Sequence, residues 1–156
     1  MKMPILLFLK ILVCCQLMFA DSVNLTNQYV RKPLNAIAII FPTEGNQVTG
    51  TFLFQQLPDG VKVSALLSGL KPNQKHGVHI HEWGDLSDMK HGKLVGPHYN
   101  PDKNPHGLPP NPLRHAGAFG NIQANDQGEA VFEFIDTTIT INGVKNPVLG
   151  RAVVVH

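Results

Sequence analysis

The sequence predicts an all-β domain, and three observations carry that prediction. Its 14 glycines and 12 prolines cut the 156 residues into short pieces, which argues against long helices and coiled coils. From residue 35 onward, apolar runs of strand length alternate with turn clusters, the pattern of a sandwich or barrel of short strands. The length suits one domain with at most a short appendage and is enough to bury a core. Charge excludes further classes. Thirteen Lys and Arg against 11 Asp and Glu give +2, and Lys2 and Lys10 lie in an apolar leader, so the mature balance is close to zero. There is no basic run interleaved with aromatics, so nucleic-acid binders and membrane-surface proteins recede.

The first element, residues 1–20, reads as a secretory signal peptide: Lys2, an apolar run from Ile5 to Val13 broken by Lys10, then Ala20. The run is too short to span a bilayer, which takes about 20 apolar residues, so no membrane contact is expected once the leader is gone. Cleavage after Ala20 or after Ser22 both fit. The expected compartment is extracellular. Both cysteines, Cys14 and Cys15, lie in the leader, so a mature domain has no disulfide and depends on its core and any metal for stability. Residues 21–34 form a polar segment, in which Asn24-Leu25-Thr26 is the only glycosylation sequon. Residues 35–156 form the domain.

Within it the expected strands are Ala36 to Phe41, Val48 to Phe54, Val61 to Leu67, Gly77 to Trp83, Asn121 to Ala124, Ala130 to Ile135 and Arg151 to His156. Turn signals separate them at Pro42 to Gly45, Leu57 to Gly60, Lys71 to Asn73 and Asn125 to Gly128, the last read as a hairpin. Gly84 to Gly120 has no strand-like run, and long loops in compact domains are usually functional or disordered.

The histidines favour function. Seven of the eight fall between His76 and His115, and the eighth is His156. His79 and His81 are two apart on an expected strand, so both project from one face while Val78 and Ile80 take the apolar side. Such a pair is half a metal site. His98, His106 and His115 follow through the loop, the first two beside Gly or Pro and His115 two residues before Gly117, surroundings that let a chain fold tightly around an ion. Imidazoles suit copper, zinc, iron and nickel, and no thiolate is on offer. His76 and His91, taken singly, read as structural or surface histidines.

Four segments, Gly77-Val-His-Ile-His-Glu-Trp-Gly-Asp85, Gly96-Pro-His-Tyr-Asn-Pro101, Arg114-His-Ala-Gly-Ala-Phe-Gly-Asn121 and Gly150-Arg-Ala-Val-Val-Val-His156, resemble the copper/zinc superoxide dismutase family in order and nearly in spacing. The resemblance covers about residue 35 to the end and implies an all-β Greek-key barrel or sandwich. By position it implies copper at His79, His81, His98 and His156, and zinc at His98, His106 and His115. His98 would then bridge the two ions and serve as the catalytic proton donor, and His76 would be structural. The substrate implied is superoxide, the products oxygen and hydrogen peroxide, and a homodimer is left open.

Three departures from the family pattern set further expectations. Ala118 stands where the family has its zinc-binding aspartate, which implies weaker zinc. No cysteine stands where the family has its disulfide, and Met89 to Lys93 occupies that segment. The chain also stops at the fourth copper ligand, before the family's substrate-orienting arginine and last strand. Arg31, Arg114 and Arg151 do not match that arginine. A missing strand leaves an open barrel edge, an aggregation liability, so an incomplete fragment is favoured over a truncated relative. The alternative function is a catalytically impaired, secreted copper-binding or decoy protein.

Overall fold

The computed structural model describes residues 32–156; the expected leader and the Asn24 sequon lie outside them. Seven strands form two antiparallel sheets. The first sheet holds β1 (Asn35–Ile40), β2 (Thr49–Leu57), β3 (Gly60–Ser68) and β6 (Ala130–Asp136) in the order β1-β2-β3-β6. The second holds β4 (Lys75–Ile80), β5 (Ala118–Gln123) and β7 (Val153–Val155) in the order β5-β4-β7. Among the described residues no helix is long and apolar enough to cross a membrane.

Period-2 patterning explains the first sheet. Ala36, Phe54, Val63 and Phe134 fall opposite one another across its four strands, and Ala38, Phe52, Ala65 and Phe132 form the next row. These rows face inward, where Phe52 and Val63 are completely buried. The second sheet supplies Val78, Ile80 and Ile122 to the same core, with Val153 and Val155 packed against it. Phe119 bridges the layers, with its ring 5.2 Å from Phe134 in an edge-on arrangement and 6.2 Å from Phe54. Such aromatic pairs contribute roughly 0.5–1.5 kcal/mol beyond the area they bury.

The predicted turn at Leu57 to Gly60 closes β2 onto β3 as a two-residue loop, with Leu57 paired to Gly60. The turn at Asn125 to Gly128 is not the expected hairpin, because β5 and β6 belong to different sheets. It is a corner. Asn125 Oδ1 accepts bonds from the amides of Gln127 and Glu129 at 3.0 and 2.8 Å, and Gly128 takes a φ of 76°. Asn125 and Gly128 fix the turn locally, whereas sheet membership depends on partners far away in sequence.

The expected strand over Gly77 to Trp83 runs instead from Lys75 to Ile80, and a register shift lies between Val78 and His79. His81 therefore sits just past the strand end, in an isolated bridge with His98. The strand expected at Asn121 begins three residues earlier, at Ala118. Glycines 117 and 120 hid that start. The intervening loop keeps one helical piece, a 3-10 turn at Lys93–Val95.

A candidate metal centre built from six imidazoles

Three chain segments converge on Ile80, the residue between His79 and His81. The Ile80 amide donates to Gly117 O at 2.8 Å, the Tyr99 amide donates to Ile80 O at 2.9 Å, and the Gly117 amide donates to Tyr99 O at 2.9 Å. This closed ring of backbone bonds brings the neighbours of His79, His81, His98 and His115 together. Gly117 must be glycine for it to close, since a Cβ there would lie 2.3 Å from Ile80 O.

Around this ring stand all six histidines predicted as ligands. His79 and His98 stack with ring centroids 3.8 Å apart. His156 lies 5.2 Å from His79 and 5.7 Å from His81. His106 and His115 are 5.1 Å apart, and His98 is 5.7 Å from each. The donor atoms of His81, His98 and His156 lie within 4.8 Å of one another, as do those of His79, His98 and His106. Two triads thus share His98.

The remaining two histidines stand apart from the donors, as expected of them singly. His91 is exposed and bonds Asp88 Oδ1 through Nδ1 at 3.1 Å. His76 is buried, and its Nδ1 lies 3.0 Å from His156 O. A carbonyl only accepts, so His76 donates and pins the backbone of His156, whose own amide donates to Gly77 O at 2.9 Å.

Burial and mutual repulsion favour the neutral form of four of the six rings. Burial, and then the neighbouring imidazoles His98, His156, His106 and His81, push the pKa of His79 down to about 3. Burial first, then His81, His156, His115 and His106, pushes His98 down to about 4. His115 is lowered by burial and by His106, and His156 by burial and by His81. Neutral imidazole is the form that ligates a metal.

The residues fit metal ions, as unpartnered nitrogens show. Among the described residues, His79 Nδ1, His81 Nε2 and His115 Nδ1 are buried with no hydrogen-bond partner, a costly arrangement unless an ion takes them up. For His81 the tautomer is set, because Nδ1 donates to Gly96 O at 2.7 Å and leaves the lone pair on Nε2. A cysteine-free set of imidazoles suits copper and zinc.

Comparison with known proteins decides the family. The copper/zinc superoxide dismutase (SODC) family profile matches residues 48–156. The chain belongs to the copper/zinc superoxide dismutase family. It is 43% identical over 152 residues to the Cu-Zn superoxide dismutase of Paramecium bursaria Chlorella virus 1, covering 97% of this chain and 75% of that relative. It is also 43% identical over 122 residues to Cu-Zn superoxide dismutase 2 of Brassica juncea, covering 77% of this chain and 76% of that protein. Membership brings the family's two metals, copper and zinc, to a cluster whose donors accommodate them.

Several positioning groups were not singled out in the sequence. Gly117 carries no local signal of the backbone ring it closes. Arg114 is buried and donates to Asp136 Oδ2 at 2.8 Å and to Ala118 O at 2.9 Å, anchoring the segment next to His115 to the end of β6. A lone arginine in a loop has no local signal that it is buried.

Proposed function

We propose that the protein is an extracellular superoxide dismutase, converting superoxide to oxygen and hydrogen peroxide. The observation that carries this reading is the cluster of six imidazoles around His98, in which His81, His98 and His156 form one donor triad and His79, His98 and His106 another, while His115 joins neither triad and stands with its ring 5.1 Å from His106 and 5.7 Å from His98. His79, His81, His98 and His156 would hold copper, and His98, His106 and His115 would hold zinc. When bound, copper supplies the one-electron couple that oxidises one superoxide to oxygen and reduces a second, which leaves with two protons as hydrogen peroxide. His98, central to both triads, carries the proton: a ring nitrogen takes it up when not ligating and gives it to the departing peroxide. Gly96 O holds the ring of His81, and His76 holds the backbone of His156.

Zinc is proposed to be the weaker of the two metals. Ala118 is fully buried at the start of β5 and offers no oxygen from its side chain, so three imidazoles remain without a balancing carboxylate. Secretion is part of the proposal, supported by the apolar leader alone. Amino-terminal sequencing of protein recovered from culture medium tests it, and a retained Met1 counts against it. A homodimer is supported by the outward face of the first sheet, where Ile37, Ile39, Leu53, Leu66 and Val131 are exposed. Sedimentation of the purified protein as a monomer at micromolar concentration would exclude it.

A second reading has one specific observation behind it. The two arginines among the described residues are both engaged: Arg114 with Asp136 and Arg151 with Tyr99. Neither, so engaged, is placed to orient an anion; the second reading is a copper-binding protein with impaired turnover. Pulse radiolysis of copper- and zinc-loaded protein separates the two readings. Decay of superoxide at a near-diffusional rate, abolished by His98→Ala, is expected of the dismutase; copper binding without acceleration sinks it.

A further inference from the structure

Arg151 makes an unusual set of contacts for a residue whose type matched no known role. Its guanidinium carbon sits 3.6 Å over the ring centre of Tyr99. Nε donates to Pro147 O at 2.9 Å, and Nη1 donates to Glu82 O. Tyr99 is buried, with 4% of its surface exposed, so the stacked face is shielded from water, where cation–π contact strengthens. Two of the three partners adjoin a metal donor, Glu82 following His81 and Tyr99 following His98, and Arg151 itself leads through β7 to His156. Backbone bonds run beside the same path, from the His81 amide to Ala152 O at 2.9 Å and from the Ala152 amide to Trp83 O at 3.2 Å.

We propose that Arg151 is a positioning residue for the copper donors, a planar clamp that sets the spacing of the segments carrying His81, His98 and His156. The inference rests on copper occupying those three donors. It does not make Arg151 a catalytic residue, because its guanidinium is spent on two carbonyls and an aromatic face. The shape of the group is what matters. Guanidinium stacks flat on a ring while its edge donates at fixed angles, and the lysine ammonium is a point charge that cannot do both at once. Without the fork, the β7 segment would be tied to the His81 segment only by backbone bonds and would lose its register against Tyr99. The donors would then spread, and a spread donor set binds copper more weakly and with a different ligand field.

The test uses the full mature protein in three forms: wild type, Arg151→Met and Arg151→Lys. Copper(II) is added to each, the electron paramagnetic resonance spectrum is recorded, and affinity is measured by competition with a chelator. The melting temperature of each metal-free form reports any purely structural loss. Expected is a changed copper hyperfine pattern in both variants and an affinity lower by roughly 10- to 100-fold, with Arg151→Lys failing to restore the wild-type spectrum although it keeps the charge. Variants that melt earlier but keep the wild-type spectrum and affinity would overturn the positioning role. If Arg151→Met does not fold, Arg151→Lys decides on the same criteria. A wild-type protein without nitrogen-ligated copper overturns the metal reading itself and this inference with it, an outcome distinct from unmoved variants of a copper-loaded wild type.

Discussion

His79 and His98 show what clustering does to individual residues. In an unfolded chain each imidazole titrates near 6.5, whereas in the folded domain His79 titrates near 3 and His98 near 4. Between those values the unfolded chain binds protons that the folded one refuses, so protons favour unfolding. The metal-free domain is therefore expected to be most stable above pH 6.5 and to lose stability as pH falls from 6.5 towards 4. Urea midpoints measured across that window check this, and a midpoint that stays flat or rises on acidification contradicts it. The same depression keeps His79 and His98 neutral in mildly acidic solution, the form in which an imidazole ligates metal. Ala118 makes the opposite point, since a single missing carboxylate was readable from the motif around it. Ala118→Asp is expected to tighten zinc by roughly tenfold or more, about 1.4 kcal/mol or above. Calorimetric titration giving equal zinc affinity in both forms would count against the assignment.

At the scale of elements, alternation made β1 to β3 and β6 legible because one face of each is core and the other is solvent. Their apolar residues recur with the strand period, as Phe52, Phe54, Val61 and Val63 do across the β2–β3 hairpin. The ends of β4 and β5 were not legible. They are set by the ring of backbone bonds through Ile80, Tyr99 and Gly117, which joins residues far apart in sequence and leaves no periodic trace. The register shift at Val78/His79 is likewise a tertiary event. The ring also supplies a sharp test. Gly117→Ala puts a methyl 2.3 Å from Ile80 O, and relief requires the three segments to separate. Overpacking of this kind costs typically about 1–3 kcal/mol. Here the loss should appear twice, as a lower urea midpoint and as weaker copper and zinc in chelator competition. A variant that loses stability yet binds both metals with unchanged affinity would show that the ring does not position the donors.

For the whole described domain, the question is what holds the long loop against the sheets. Both cysteines of the chain are Cys14 and Cys15, so no disulfide is available to residues 32–156. One tie is the Arg114–Asp136 ion pair, with side chains 3% and 0% exposed. Asp136 completes it by accepting from the Thr138 amide and hydroxyl at 2.7 and 2.6 Å. A pair so buried roughly offsets its own desolvation, while removing one partner costs about 3–5 kcal/mol; it enforces geometry more than it adds stability. The metal centre is the other tie. Its six donors come from β4 and its end, two parts of the long loop, the segment before β5, and the residue after β7, so a bound ion closes large loops of chain at once.

Linkage makes that effect measurable. An ion that binds only the folded state stabilises it by about 4 kcal/mol when free metal is a thousandfold above its dissociation constant, and for a domain of this size that is a rise of roughly 10 °C or more in Tm. Zinc-loaded protein is therefore expected to melt well above the metal-free form, and a chelator in excess should return it to the metal-free value. Reductant should leave the metal-free Tm where it is, since there is no disulfide among the described residues to break. His106→Ala with His115→Ala should remove most of the zinc-dependent rise, because those two donors come from the loop that zinc would pin. Calorimetric scans of the two forms, each with and without reductant, read all of this directly. A metal-free Tm equal to the zinc-loaded one would mean that zinc does not bind the folded domain in preference to the unfolded chain, and the zinc assignment would fall with it.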